Sequence, residues 1–306
     1  MTPLSQKILD AHQVRKTIAQ KEGFIQLIRT HFPEAVIQES RFPRCRNIII
    51  GDIEKAQVIL TAHYDTCAQL PFPNFIAPKR PLLSLLYGVA VAIPIIAIVA
   101  IVNIFLGLLI SDFWLHYWIS LIVYFGTFSL LIFGPANQHT ANDNTSGVVA
   151  LCELLGVLTP DSRAKAAFVF FDHEETGLIG SSRFRAAYKQ QIQNKLLINL
   201  DCVSDGDTIM LSVSKHARKE WQKSLEYSFQ FCDGKTVIFT KAERTYYPSD
   251  QLGFPQSVAI AALKYRHPIG YYMDRIHTSK DTVFDKQNIK LLCDSLHTFL
   301  ASLTKR

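Results

Sequence analysis

Two long uncharged runs lie in the middle of this 306-residue chain. Residues 81–111 and 113–142 contain no Asp, Glu, Lys or Arg, and Asp112 is the one charged residue between the two runs. A helix needs about 20 apolar residues to cross a bilayer, and each run is long enough to supply them. The sequence therefore predicts a two-helix transmembrane hairpin over residues 81–134.

Two details of the runs support the lipid bilayer as the partner of this hairpin. Trp114, Tyr117 and Trp118 follow the connection between the runs, where aromatic side chains suit a membrane interface. Pro94 would kink the first helix, which lipid-embedded helices tolerate. A buried helical hairpin or an arm for homo-oligomerisation is the alternative. Soluble domains rarely keep two such runs back to back, so we favour the membrane hairpin.

The segments on both sides of the hairpin alternate between strand and helix patterns. Strands are predicted at residues 47–52, 56–65, 165–172 and 195–203, and helices at residues 3–32, 144–158 and 180–191. This alternation predicts an α/β fold with a mixed, mostly parallel sheet flanked by helices. Candidate site residues occur on both sides of the hairpin, so we expect residues 1–80 and 135–306 to form one domain with residues 81–134 inserted.

Charge and cysteine usage narrow the function classes. The net charge of +6 is modest and no nucleic-acid-binding motif is present, so no nucleic-acid partner is expected. The six cysteines include no CxxC pair, which argues against a disulfide framework and against a cysteine zinc site. The N-terminus lacks the apolar segment of a secretory signal. Lys79 and Arg80 adjoin the first apolar helix, which predicts a cytoplasmic position for the α/β domain.

The stretch FVFFDHEETGLIGS, residues 168–181, ends an apolar strand with the adjacent acids Glu174 and Glu175. Adjacent buried carboxylates repel each other and are costly to desolvate, so they belong either to a solvated loop or beside a cation. Other polar residues fall where strands end or helices begin, where the sites of α/β sheets form: His63, Asp65, Asp143, Asp201 and His277.

Two histidines and three carboxylates from this set would suit two divalent cations, and nitrogen and oxygen donors suit zinc. Each element alone has an ordinary explanation. His63 and Asp65 form only a weak HxD pattern, Asp143 fits a helix N-cap, Asp201 fits a turn, and His277 fits a surface residue. The prediction depends on the joint order and spacing.

That joint pattern, TAHYDT … ANDNTSGVVALCELL … FFDHEETGLIGSSRF … INLDCV … YYPSDQLGF … RIHTSKDT, closely resembles the co-catalytic dizinc aminopeptidases of clan MH. Bacterial leucine-type aminopeptidases belong to this group, and glutamate carboxypeptidase and glutaminyl cyclase are relatives. The resemblance covers the chain outside the apolar insert. It implies a zinc-aminopeptidase-like fold, two zinc ions (cobalt or manganese fit the same donors), and hydrolysis of N-terminal residues from peptide substrates.

The resemblance also implies the metal ligands. Asp143 corresponds to the carboxylate that bridges the two metals. His63 and Asp201 would complete one metal site, and Glu175 and His277 the other.

Three further residues receive catalytic roles from the same resemblance. Glu174 corresponds to the general base, and Asp65 to the acid that orients His63. Tyr246 matches a tyrosine that assists the carbonyl oxygen in some members, and its neighbour Tyr247 is an open alternative.

The chain departs from the family pattern where the apolar hairpin separates the HxD and DN motifs. Cys67 and Cys202 lie near the ligands and are interpreted as packing residues. Two other functions stay open: acyl transfer of the glutaminyl-cyclase kind, and a non-catalytic membrane scaffold on a peptidase fold. The complete ligand set, with its base, argues against both.

Overall fold

The computed structural model describes residues 1–230 and 234–304, and one mixed sheet runs through this part of the chain. Its strands are β1 (Val36–Ser40), β2 (Cys45–Ile50), β3 (Val58–His63), β4 (Ala166–Phe171), β5 (Leu196–Leu200), β6 (Thr208–Val213), β7 (Thr236–Lys241), β8 (Ser257–Arg266) and β9 (Gly270–Tyr272). The strand order is β1-β2-β4-β3-β5-β8-β6-β7, and β9 pairs with β8.

Helices cover both faces of the sheet. They are α1 (Pro3–Ala11), α2 (Ile18–His31), α3 (Pro81–Leu109), α4 (Phe113–Phe133), α5 (Gly147–Val157), α6 (Pro160–Ala164), α7 (Ile179–Ala187), α8 (Lys189–Ile192), α9 (Lys215–Glu220), α10 (Gln222–Ser228) and α11 (Lys286–Ser302). One face of the sheet packs against α1, α2, α5 and α11, and the other against α7 and α8. Because the central strands are buried on both faces, they appear in the sequence as continuous apolar runs.

The mixed α/β fold flanked by helices is confirmed. The neighbours β4-β3-β5-β8 are all parallel, as expected from the alternation of strands and helices. The pairs β1-β2, β2-β4, β6-β8 and β8-β9 are antiparallel, so the sheet is more mixed than that alternation predicts. Strands β2 and β3, which follow each other in the chain, are separated in the sheet by β4.

The single N-terminal helix predicted over residues 3–32 is wrong, because an extended segment separates α1 from α2. Thr17 begins α2 with a capping box: its hydroxyl accepts the Gln20 N–H, and the Gln20 side chain accepts the Thr17 N–H at 2.9 Å. The extended segment also turns Arg15 inward, where its guanidinium is buried and donates to the main-chain oxygen of Tyr64.

The two apolar runs form α3 and α4, which are long and apolar enough to cross a membrane. Their most apolar windows have mean hydropathies of 2.9 and 1.6, and only 6% and 0% of those windows are buried by the rest of the protein. Helix α3 continues through Pro94. At the open end of the hairpin, Lys16 donates to the main-chain oxygen of Ile132 at 2.8 Å. The hairpin therefore projects from the α/β domain.

Candidate metal centre

The candidate ligands meet at one edge of the sheet. His63 is the last residue of β3, Glu174 and Glu175 follow β4, and Asp201 follows β5. These three strands are adjacent and parallel, so their carboxyl ends share one edge. Asp143 reaches the same edge from an irregular helical turn, Ala141–Ser146, that precedes α5. His277 comes from the loop after β9.

Asp143 lies at the middle of the cluster, with one carboxylate oxygen toward each half. Its Oδ1 is 3.3 Å from Nε2 of His63, which is also 3.4 Å from Oδ1 of Asp201. Its Oδ2 is 3.0 Å from Nε2 of His277, which is also 3.2 Å from Oε2 of Glu175. Two groups of donors therefore share a single carboxylate.

The chemistry of this cluster fits bound divalent cations. Within the described residues, the buried Oε1 atom of Glu175 has no hydrogen-bond partner. Burial raises the pKa of Glu175 to about 8, and the carboxylate of Asp143 adds to the effect. Burial likewise raises the pKa of Glu174 well above its ordinary value. A cation would relieve this crowding of carboxylates, and the imidazole and carboxylate donors suit zinc.

The role of Asp65 in orienting His63 stays a prediction, and the two side chains lie beside each other in the structure. Nδ1 of His63 is 3.1 Å from the main-chain oxygen of Asp65 and 3.7 Å from its Oδ1. The Asp65 carboxylate also accepts the main-chain N–H groups of Glu174 at 2.9 Å and Glu175 at 3.2 Å. The turn after β3 directs this carboxylate toward the neighbouring strand end. Asp65 thus fixes the backbone that carries both glutamates.

The two tyrosines differ in their surroundings. Tyr247 is buried, and its hydroxyl donates to the main-chain oxygen of Asp201 at 2.9 Å. Tyr246 keeps 50% of its surface exposed and lines the cavity above the metal centre. The role expected for Tyr246 stays a prediction, and the hydrogen bond of Tyr247 makes the neighbour less available for that role.

Asp281 supports the metal centre and is not among the residues predicted from the sequence. The Asp281 carboxylate accepts the main-chain N–H of Asn142 at 2.8 Å and that of Asp143 at 3.0 Å. Burial and the neighbouring Asp143 raise the pKa of Asp281 to about 8. Asp281 lies four residues after His277 in the motif RIHTSKDT, but nothing in that spacing indicates a contact with Asp143.

The five cysteines in the described part of the chain are free and buried, and Cys232 lies outside it. Cys67 and Cys202 each lie within donor range of the cluster. Imidazole and carboxylate donors already surround both halves of the site, so neither cysteine is needed as a ligand. The packing role of Cys67 and Cys202 stays a prediction.

The sequence was compared with protein-family models and with curated proteins. The family model described as Peptidase family M28 matches residues 125–299. A search of curated proteins found no match.

Three solved structures share the fold at low sequence identity. The Legionella pneumophila aminopeptidase LapA is 13% identical, with a TM-score of 0.55 over 99% of this chain and 68% of that one. A Porphyromonas gingivalis glutaminyl cyclase is 16% identical, with a TM-score of 0.56 over 97% and 95%. A zinc-dependent exopeptidase from Parabacteroides distasonis is 14% identical, with a TM-score of 0.56 over 98% and 96%.

Proposed function

Because the chain belongs to peptidase family M28, we propose that it is a membrane-anchored aminopeptidase that uses two zinc ions to release N-terminal residues from peptides. The observation that carries this proposal is the position of Asp143, whose two carboxylate oxygens face two different histidines. A carboxylate placed in this way is suited to be shared between two cations.

Five side chains would hold the metals. His63, Asp143 and Asp201 supply donors on one side of the shared carboxylate. Asp143, Glu175 and His277 supply donors on the other side. Bound zinc supplies Lewis acidity, which polarises a peptide carbonyl and makes a nearby water more acidic.

Glu174 is the proposed proton carrier. It takes a proton from the attacking water and delivers it to the amine nitrogen that leaves when the peptide C–N bond breaks. Its backbone is held by the Asp65 carboxylate, which also holds that of Glu175, so the two glutamates keep a fixed relation to each other. Tyr246, exposed on the cavity wall, is the candidate donor to the carbonyl oxygen.

The hairpin α3–α4 is the proposed anchor, since both helices are long and apolar enough to cross a membrane. Lys79 and Arg80 precede α3, and Lys16 contacts the end of α4. Basic residues at this end of the hairpin favour a cytoplasmic active site.

The test uses purified full-length protein with added zinc and a panel of aminoacyl-anilides. We expect hydrolysis that is lost on chelation and restored by zinc. Conversion of N-terminal glutamine to a cyclic product without hydrolysis of the anilides would instead indicate an acyl transferase. A metal-loaded protein inactive in both assays would indicate a scaffold.

A further inference from the structure

A cavity of about 1160 Å³ begins at the metal centre and continues between the α/β domain and the hairpin. Leu85, Gly88, Ala92 and Ile95 contribute to its wall from α3. Their spacing of three, four and three residues places them on one face of that helix. Helix α4 contributes the opposite side of the wall near its C-terminal end, including Leu131. The hairpin is therefore part of the cavity that contains the metal centre.

The acidic and histidine side chains on this wall all belong to the metal centre. Among the described lining residues, Asp, Glu and His occur only as the five proposed ligands and Glu174, and no Lys or Arg is present. The remainder of the wall is apolar or uncharged. A charged side chain or a terminal carboxylate would find no countercharge there, and its desolvation would be costly. The cavity is suited to apolar peptide segments.

Several residues of α3 that line the cavity are also exposed at the surface of the protein. Leu82, Leu85 and Val89 line it and yet keep 66%, 62% and 48% of their surface exposed. Ile95 lies 14 residues beyond the start of α3 at Pro81, which corresponds to a helix length of about 20 Å at about 1.5 Å per residue. The part of the cavity wall formed by α3 would therefore extend through much of a hydrocarbon core, which is about 30 Å thick.

The wall also leaves room beside the backbone of α3. A Cβ atom added at Gly88 would have no atom within 4 Å apart from its chain neighbours and the adjoining backbone of its own helix. An apolar chain can therefore approach the helix closely at this position.

We infer that this cavity is a lateral binding groove for peptides that lie in the bilayer, whose N-terminus reaches the metal centre while the apolar residues after it contact α3 and α4. The inference depends on the proposed peptidase function and specifies its substrate class. In this groove the apolar segment of a membrane-partitioned peptide stays out of water, whereas a polar segment would lose its hydration without gaining a partner.

The test compares three substrates with full-length protein in phosphatidylcholine vesicles. They are leucine anilide, a peptide with N-terminal leucine followed by a bilayer-length apolar segment, and the same peptide with a Gly-Ser segment instead. We expect kcat/KM for the apolar peptide to exceed that for the Gly-Ser peptide by about tenfold or more, the scale of discrimination by an apolar pocket.

A matched pair of variants locates the effect in the groove. Ala92 lines the cavity, whereas Ala90 is exposed on the same helix and does not. Ala92→Trp should reduce kcat/KM for the apolar peptide about tenfold more than for leucine anilide, since the indole fills an apolar binding site. Ala90→Trp should leave both rates at the wild-type value. Leu131→Trp and its outward neighbour Leu130→Trp repeat the comparison on α4.

The outcomes separate this inference from the peptidase proposal. If wild-type protein hydrolyses leucine anilide but does not prefer the apolar peptide, or if the inward and outward Trp variants lose equal activity, the groove is overturned and the peptidase remains. If zinc-loaded protein hydrolyses none of the three substrates, the peptidase proposal and the groove both fail.

Discussion

At the scale of single residues, Glu174 and Glu175 are chain neighbours with different tasks in the proposed mechanism. We expect Glu174→Gln to retain metal and to reduce turnover by about 10²–10⁴-fold, since a proton carrier contributes about that much. Asp143→Ala should lose metal, because its carboxylate is shared between two groups of donors. Elemental analysis and anilide kinetics on both variants provide the measurement. A fully active Glu174→Gln would remove Glu174 from the mechanism.

Asp281 positions Asp143 through two main-chain hydrogen bonds. In Asp281→Asn one acceptor oxygen becomes an NH₂ group, which cannot accept an N–H. We expect metal affinity to fall by about 10–100-fold, the usual effect of losing a partner that orients a ligand. A zinc titration against a competing chelator measures this. Asp294→Asn is the control, because Asp294 lies on the exposed face of α11 and pairs there with Lys290. Equal zinc affinity in both variants would contradict the positioning role.

The buried ion pair of Lys21 and Asp172 contributes to stability. Their atoms Nζ and Oδ1 are 2.5 Å apart, and the side chains are only 7% and 2% exposed. The main-chain N–H of Arg46 also donates to the Asp172 carboxylate, at 2.9 Å. Asp172→Asn leaves Lys21 buried without its countercharge, so we expect the free energy of unfolding to fall by about 3–5 kcal/mol.

Denaturant unfolding in detergent micelles measures this change, and Asp294→Asn again serves as the exposed control. Removal of that surface pair should cost less than about 1 kcal/mol. If Asp172→Asn cost no more than the control, the pair would have no special part in stability.

At the scale of elements, local patterns predict some parts of the molecule well and others not at all. The strands β3, β4 and β5 could be predicted because each is a continuous run of apolar residues. The helices α3 and α4 could be predicted because each is a long uncharged segment. The gap between α1 and α2 was missed although Thr17 and Gln20 form a capping box, since apolar residues continue on both sides of it.

Contacts between distant segments could not be predicted in this way. The Asp65 carboxylate accepts the main-chain N–H of Glu174, 109 residues away in the chain, and the HxD pattern gives no indication of this contact. Asp281 and Asp143 are 138 residues apart. The position of β4 between β2 and β3 likewise depends on pairing across the whole insert. Such contacts are set by the assembled sheet rather than by neighbouring residues.

The hairpin is the element with the plainest test. We expect full-length protein to stay in the membrane pellet after carbonate washing, because almost no residue in the apolar windows of α3 and α4 is buried by the rest of the protein. Ile98→Arg, at an exposed position of α3, should weaken membrane insertion, since a charge at a helix centre costs about 2.5–3.5 kcal/mol. Release of the intact wild-type protein by carbonate would instead favour an oligomerisation arm.

At the scale of the whole molecule, the basic residues and the hairpin predict which side of the membrane carries the metal centre. Lys16 contacts the end of α4, and Lys79 and Arg80 precede α3, so these three positive charges lie near the open end of the hairpin. The connection between the helices, residues 110–112, carries only the negative charge of Asp112. Positive residues close to a spanning helix favour the cytoplasm.

We therefore expect the α/β domain in the cytoplasm and the connection outside. Cysteines introduced separately at Ser111 and at the exposed Gln190 of α8 report the two sides. In intact cells, an impermeant maleimide should label Ser111→Cys and should reach Gln190→Cys only after permeabilisation. The described native cysteines are buried, and Cys232→Ser removes the remaining one as a source of background. Labelling of Gln190→Cys in intact cells, with protection of Ser111→Cys, would show that the orientation is the opposite of the one expected. The groove would then receive peptides from the outer face, because its connection to the metal centre does not depend on which side that centre faces.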